Sequence, residues 1–233
     1  MFTGVVAVTK RVTVFLIARS RGADVAKGML GTDARKVVIS DRLKSYNWIK
    51  RHQFCWAHLR RDFQAMIDRG GEAGEVGQRL MEHSDVLFGW WYRVRDGTLA
   101  RSSFLLYVSW LRHCLKEDLQ RGADSACSKT AGTCRELLSG ETHLWTFVRV
   151  DGIEPTNNDA ERALRHGVID RKLSGGTDSE AGSRFVERML SVVATCRQQD
   201  INVLDYLTRC YQAHLDGLPA PSLLPASSAN QAA

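Results

Sequence analysis

Lys36-Val37-Val38-Ile39-Ser40-Asp41-Arg42-Leu43-Lys44-Ser45-Tyr46-Asn47-Trp48 is the stretch on which the fold turns. Three consecutive β-branched residues between polar ones are too few for a helix and lack the alternation of a half-exposed strand. They suit a short strand, Lys36 to Ser40, buried on both faces. Such a strand belongs to a layered α/β sheet, and its carboxyl end, where open sheets gather their ligands, is Asp41. An aromatic-rich helical stretch, RLKSYNWI, is expected next. A short HQFCWA segment then leads into a helix with Leu59, Phe63, Met66 and Ile67 at helical spacing.

Upstream, VVAV at Val5 to Val8 and VTVFLIA at Val12 to Ala18 are rich in β-branched residues and flank a polar Thr9-Lys10-Arg11 turn. The pair is expected to form a β-hairpin. Ser20 to Gly31 is expected to be helical, with Ser20 as cap, Val25, Met29 and Leu30 on one face, and Gly31 in the left-handed position at its end. Downstream, Glu72 to Leu138 is expected to be helix only. Val76, Leu80, Leu87, Trp91 and Val94 recur at helical spacing, as do Leu105, Val108, Leu111, Leu115 and Leu119, which makes both stripes core positions. RGGEAGE and DGTLARSS are the expected turns, and no proline precedes Pro155.

After Pro155 a helix is expected from Thr156, with Asp159 three residues on, through NNDAERALR. An extended VIDRKLSGGT should follow. The strongest helix should run from about Ser179 to Gln199, with Phe185, Met189, Val192, Val193 and Cys196 on one side. Asn202 caps a last helix, NVLDYLTRCYQAHL, and the Pro- and Ala-rich tail is expected to be disordered.

The 233 residues are 44% hydrophobic and 25% charged, the composition of a core-forming soluble protein. Intrinsic disorder of the whole chain is excluded. No run reaches the length of a membrane span, and Lys10 and Arg11 interrupt the amino-terminal apolar stretch, so neither signal peptide nor anchor is expected. The net charge is +6 and it is concentrated. Arg35, Lys36, Arg42, Lys44, Lys50, Arg51, Arg60 and Arg61 face only Asp41 in their stretch, either a solvated face or a site for a polyanion. The six cysteines form no tight pair and are expected to be reduced thiols; Cys55 and His58 have the spacing of half a zinc site, without an evident second half.

Two acids occupy informative places. Asp41 ends the strand, and Glu161 lies in the expected helix, where Asn157, Glu161 and Arg165 at i, i+4 and i+8 would line one face. Asn158 and Arg162 make a neighbouring row. Strand-end caps and surface ion pairs give the same spacings, so the spacing alone does not make a site.

Five strings, VVISDRLKSYNW, FCWAHLRRDF, EPTNNDAERALR, RKLSGGTDSEAGSRFVERMLSVVATCRQQ and NVLDYL, resemble in order and separation the insertion sequence 66 family of bacterial transposases. The resemblance runs from about Gly4 to the last helix. It implies an α/β, RNase H-like mixed sheet with a large α-helical insertion, and three acids, Asp, Asp and Glu, around two Mg²⁺ ions. Carried over, Asp41 matches the second acid and Glu161 the third, as catalytic and metal-binding residues. The first acid has no counterpart: Asp24 and Asp33, the only acids upstream of Asp41, fall in the expected helix and the loop behind it. The resemblance places that acid on a strand before the hairpin, so the sheet is expected to be incomplete at its amino terminus.

The same resemblance implies DNA cleavage and strand transfer on transposon ends and target DNA. Arg42, Lys44, Arg60, Arg61, Asn157, Asn158, Arg162, Arg165, Arg171 and Lys172 are the candidate DNA-binding residues, by phosphate contact or by orienting Glu161. Trp48 and Trp56 are candidate stacking residues, with core packing as their alternative. Two carboxylates underligand a two-metal centre, so weak Mg²⁺ binding and an inactive or partial copy are expected. The expected division is residues 1–70 as the first part of the core, 71–150 as the helical insertion, 151–216 as the second part and 217–233 as the tail. A homo-oligomer or co-assembly with a full-length transposase, and a cytoplasmic, nucleoid-associated location without membrane, complete the reading. The rivals are a non-catalytic DNA-binding or regulatory remnant, another RNase H-like nuclease such as a resolvase, and a plain helical interaction protein.

Overall fold

The structure, a computed structural model, describes residues 3–33 and 35–224. It divides into two compact units, one of residues 1–32 with 158–233 and the other Asp33–Asn157. The boundaries therefore differ from the 70/71 and 150/151 divisions read from the sequence: the Asp41 strand and the helix after it cluster with the helical insertion.

In the first unit, β1 (Thr3–Val8) and β2 (Thr13–Ala18) form the expected antiparallel hairpin, in register from Thr3 opposite Ala18 to Val8 opposite Thr13. The helix α1 (Ala23–Leu30) follows. Ser20 does not cap it; its hydroxyl accepts from the Gly22 N–H in the turn before, while Gly31 takes the expected positive φ of 68°. The carboxyl-terminal part supplies α7 (Asn158–Ser174), α8 (Glu180–Gln198) and α9 (Val203–Leu215). The segment VIDRKLS is helical, a correction to the extended reading: Val168 and Ile169 sit within α7, which ends only at Gly175 and Gly176, with φ of 75° and 96°. Ser179 and Asn202 cap α8 and α9 through their side-chain oxygens.

The tightest feature of this unit joins α8 to the outer edge of β2. Thr195 Oγ1 accepts from Thr13 N–H (3.1 Å) and donates to Thr13 C=O (3.0 Å). Ser191 Oγ accepts from Phe15 N–H (2.9 Å), and Glu187 Oε2 from Ile17 N–H (2.8 Å). Arg184, paired with Glu187, donates to Ile17 C=O. Two strand residues advance about 6.7 Å and four helical residues about 6.0 Å, so alternate amides of β2 meet every fourth residue of α8. The helix thus satisfies the strand edge as another strand would. Its packing face is accordingly mixed. Cys196 is buried as expected, Met189, Val192 and Val193 are half-buried, and Phe185 is 65% exposed.

The tail is partly ordered, which corrects the disordered reading for residues 217–224. Tyr206 Oη donates to Pro221 C=O (2.9 Å) and Gln199 Nε2 to Leu223 C=O (2.9 Å). The remaining tail positions lie outside the described residues.

In the second unit, β3 (Val38–Ser40) pairs in parallel with β4 (His52–Phe54). Among the described residues the two ladders are each two-stranded, and Val38 and Ile39 are half-buried rather than covered on both faces. RLKSYNWI forms only a single 3₁₀ turn, Lys44–Tyr46, not a helix. The strand β4 is polar yet fully buried because its groups are met from far along the chain. Gln53 donates to Leu144 C=O (3.1 Å) and accepts from Phe147 N–H (2.8 Å), and Thr146 Oγ1 donates to His52 C=O (2.6 Å). Those partners lie in a 3₁₀ turn, Glu141–Leu144, and the short helix α6, Thr146–Arg149.

The rest of the unit is helical: α2 (Trp56–Ile67), α3 (Gly71–Arg95), α4 (Arg101–Ala123) and α5 (Ser128–Ser139). Only Arg69–Gly70 of the RGGEAGE string is a turn, and Asp124–Cys127 makes a break that carries no proline. Phe104, not Leu105, continues the buried row Val108, Leu111, Leu115 and Leu119; Leu105 is exposed. Gly77 lets α3 approach α2, since a Cβ there would lie 2.7 Å from Phe63 O. Among the described residues no helix is long and apolar enough to cross a membrane.

Ser191→Val removes the acceptor of the Phe15 N–H within a tight contact, and should cost about 1–3 kcal/mol in urea unfolding. Ser191→Thr, which keeps the hydroxyl, should cost less. Equal stability of wild type and Ser191→Val would contradict the edge-closing role of α8.

Candidate functional site

Asp41 directly follows β3. The ladder holds the strand's end, because Cys55 N–H donates to Ser40 C=O (2.9 Å). The chain then turns at once: Asp41 Oδ1 accepts from Leu43 N–H (3.2 Å), an Asx turn. Asp41 lines a cavity of about 490 Å³ with Arg42, Leu43, His58, Arg61, Asp62 and Glu136. The position of Asp41 at the carboxyl end of a strand is the placement read from the sequence.

Two of the candidate DNA-binding arginines make ion pairs within the fold. Arg42 is 15% exposed and bridges Asp62 of α2 (2.5 Å) and Glu136 of α5 (3.0 Å). Arg60 binds Ser84 (2.9 Å) and Asp85 (2.5 Å) of α3, and its guanidinium lies over the Phe88 ring at 5.9 Å. Lys44 and Arg61 are exposed. Trp56 is fully buried with its indole N–H on Leu144 C=O (2.9 Å), which excludes it as a base-stacking platform. Trp48 is half-buried and donates to Ser45 C=O.

Behind Asp41 lies a buried histidine that sequence reasoning missed. His52 is 2% exposed and its Nε2 is 2.7 Å from Ser40 Oγ, which in turn is 2.8 Å from Asp41 C=O. The ring packs edge-on against Phe54 and beside His143. Burial, and then the charge of His143, pushes the His52 pKa down from 6.5 to about 4. Burial lowers His143 as well.

Glu161 sits in the first turn of α7 and is half-buried, and Asn158 opens the helix. Asn157 precedes it, so the expected i, i+4, i+8 row is not one helical face. The Asn157 N–H donates to Cys55 Sγ (3.4 Å), which gives this buried thiol a structural use. Arg162 pairs with Asp159 on the surface. Arg165, Arg171 and Lys172 are exposed along α7, the last two in its final turn, where cations complement the helix dipole. Asp41 and Glu161 belong to different units of the chain.

Both acids are hard oxygen donors suited to a divalent cation. Around Asp41 the other carboxylates, Asp62 and Glu136, are already engaged by Arg42, so they offer no ready substitute for a further acidic ligand.

Residues 3–185 match the family model described as Transposase IS66 family. A relative in Sinorhizobium fredii (strain NBRC 101917 / NGR234), described as uncharacterized protein y4qI, is 29% identical over 178 residues, covering 72% of this chain and 32% of the relative. The chain thus spans about a third of the length of the curated relative it matches. No solved structure matches.

The low His52 pKa makes stability pH-dependent with a definite sign. The unfolded chain takes up a proton near pH 6.5 and the folded chain only near 4, so stability falls as pH drops through that window and is unaffected above it. The full effect is about 3 kcal/mol, with His143 adding in the same direction. Thermal unfolding at pH 7 and 4.5 should show the loss, and His52→Gln should shrink it. An equal loss in His52→Gln would contradict the assignment.

Proposed function

The chain belongs to the IS66 family of transposases, and from that premise we propose that it acts on DNA as part of a transposase whose cleavage and strand-transfer centre uses Asp41 and Glu161. The observation that carries this reading is the placement of Asp41: directly after a strand of a parallel pair, beside a charged cavity, in a segment that the family match covers. In this reading the two carboxylates hold divalent ions, Mg²⁺ foremost. Such ions supply activation of the attacking hydroxyl and stabilisation of the leaving oxygen. The chain's own residues position DNA: Arg61 and Lys44 near Asp41, and Arg165, Arg171 and Lys172 on α7, take backbone phosphates and give affinity without sequence choice. Arg42 holds Asp62 and Glu136 in place beside Asp41, and Arg60 anchors α2 to α3.

The fold we infer is RNase H-like, with α3 to α5 as the helical insertion. One structural feature supports a sheet that takes a further strand. The amides of β2 that point away from β1 are met by α8, so the antiparallel alternation turns Gly4 and Val6 of β1 outward. Among the described residues neither has a backbone partner there. The open edge is the side on which the strand bearing the family's first acid would pair. The 233 residues match two of the three acids, so this chain by itself would bind metal weakly and join strands poorly. Work on chromosomal DNA would place it with the bacterial nucleoid.

A salt titration of binding to duplex DNA tests the nucleic-acid reading. Affinity should fall steeply with salt, and Arg165→Ala with Arg171→Ala and Lys172→Ala should lower the slope of log K against log salt by about one per lost phosphate contact. Absence of binding at low salt would sink it. Incubated with Mg²⁺ or Mn²⁺ and DNA carrying the element's ends, the purified chain should cut little. Robust cutting would show that the two matched acids suffice.

A further inference from the structure

We propose that His52 is a positioning residue for Asp41, acting through the Ser40 hydroxyl. The inference rests on the reading of Asp41 as a metal-binding acid, and it adds a residue that has no contact with metal or DNA. Ser40 Oγ has one proton and lies 2.8 Å from the Asp41 carbonyl, which can only accept. The proton therefore goes to that carbonyl. The 2.7 Å contact with His52 Nε2 must then be a donation from the imidazole, which fixes the neutral ring with its proton on Nε2. The Ser40 carbonyl is pinned by Cys55 N–H at 2.9 Å, and Asp41 Oδ1 by Leu43 N–H at 3.2 Å. The carbonyls on both sides of the Asp41 Cα are thus held, one by the ladder and one by the His52–Ser40 relay, and the carboxylate leaves the strand in one direction.

The identity of residue 52 argues for use of its N–H. Tyr46, Phe54 and His143 surround the ring. A phenyl ring would fill the same aromatic box without the cost of burying polar nitrogens. An imidazole at 2% exposure is explained by the bond it donates.

Nuclear magnetic resonance of the full ¹⁵N,¹³C-labelled chain tests the relay at the atoms concerned. Long-range ¹H–¹⁵N spectra at pH 7 should show His52 neutral with its proton on Nε2. In His52→Phe and in Ser40→Ala the Asp41 carbonyl and carboxylate carbons should shift or double, while the methyl signals of Leu80 and Leu119 in the helical core stay in place. His52→Gln, which keeps an N–H donor at similar reach, should restore the Asp41 signals toward wild type. A proton on Nδ1, or Asp41 signals unchanged in both Ser40→Ala and His52→Phe, would overturn the proposal. Should His52→Phe fail to fold, Ser40→Ala alone decides, since it removes one oxygen and no ring. No metal enters this readout, so a failure of the metal-site reading would register in metal titrations and leave this result standing.

Discussion

A two-stranded ladder leaves half of the backbone groups of each strand facing away from its partner, and buried amides without partners are costly. Both ladders of this chain are shaped by that constraint. The outer edge of β2 is closed by Thr195, Ser191 and Glu187, whose spacing on α8 matches alternate amides of the strand. A helix that closes an edge must turn polar groups toward the sheet, which is why Phe185 faces solvent. Among the described residues the outward groups of Gly4 and Val6 on β1 have no such backbone partner.

In the other unit the buried polar groups of β4, side chain and backbone, are met by residues distant in sequence. Gln53 and Thr146 stitch β4 to the segment from Glu141 to Arg149, and Trp56 adds its indole N–H to the Leu144 carbonyl. The ladder joins β4 to β3, whose end carries Asp41. Charge is organised around the same point. Arg42 neutralises Asp62 and Glu136 beside the cavity, leaving Asp41 as the acid of that rim not bridged by Arg42. Part of the positive charge that the sequence concentrates near Asp41 thus holds α2, α3 and α5 together.

Much of this was legible in the sequence. The hairpin follows from its β-branched residues, the caps Ser179 and Asn202 from their side chains, and the helical rows from Val76 to Trp91 and Val108 to Leu119 from periodicity. Asp41 was legible as a strand-end acid because Val37, Val38 and Ile39 announce the strand. The strand β4 was not legible, because His-Gln-Phe has no strand pattern and is buried only through bonds formed about ninety residues away. The Val-Ile pair in α7 imitates an extended segment that tertiary packing overrides. The face of α8 misleads for the opposite reason: its functional contacts are the polar positions. Nor does a sequence tell which arginine finds an intramolecular carboxylate, as Arg42 and Arg60 do.

In the function proposed for this chain, Asp41 and Glu161 are both ligands of a divalent ion. Paramagnetic broadening of side-chain carboxylate ¹³C signals by Mn²⁺ in the full chain tests it most directly. The account predicts that Asp41 and Glu161 broaden together at the lowest Mn²⁺ concentrations, ahead of surface acids such as Asp205, and that Asp41→Asn weakens the effect at Glu161. Broadening of one without the other, or of neither before Asp205, would contradict it.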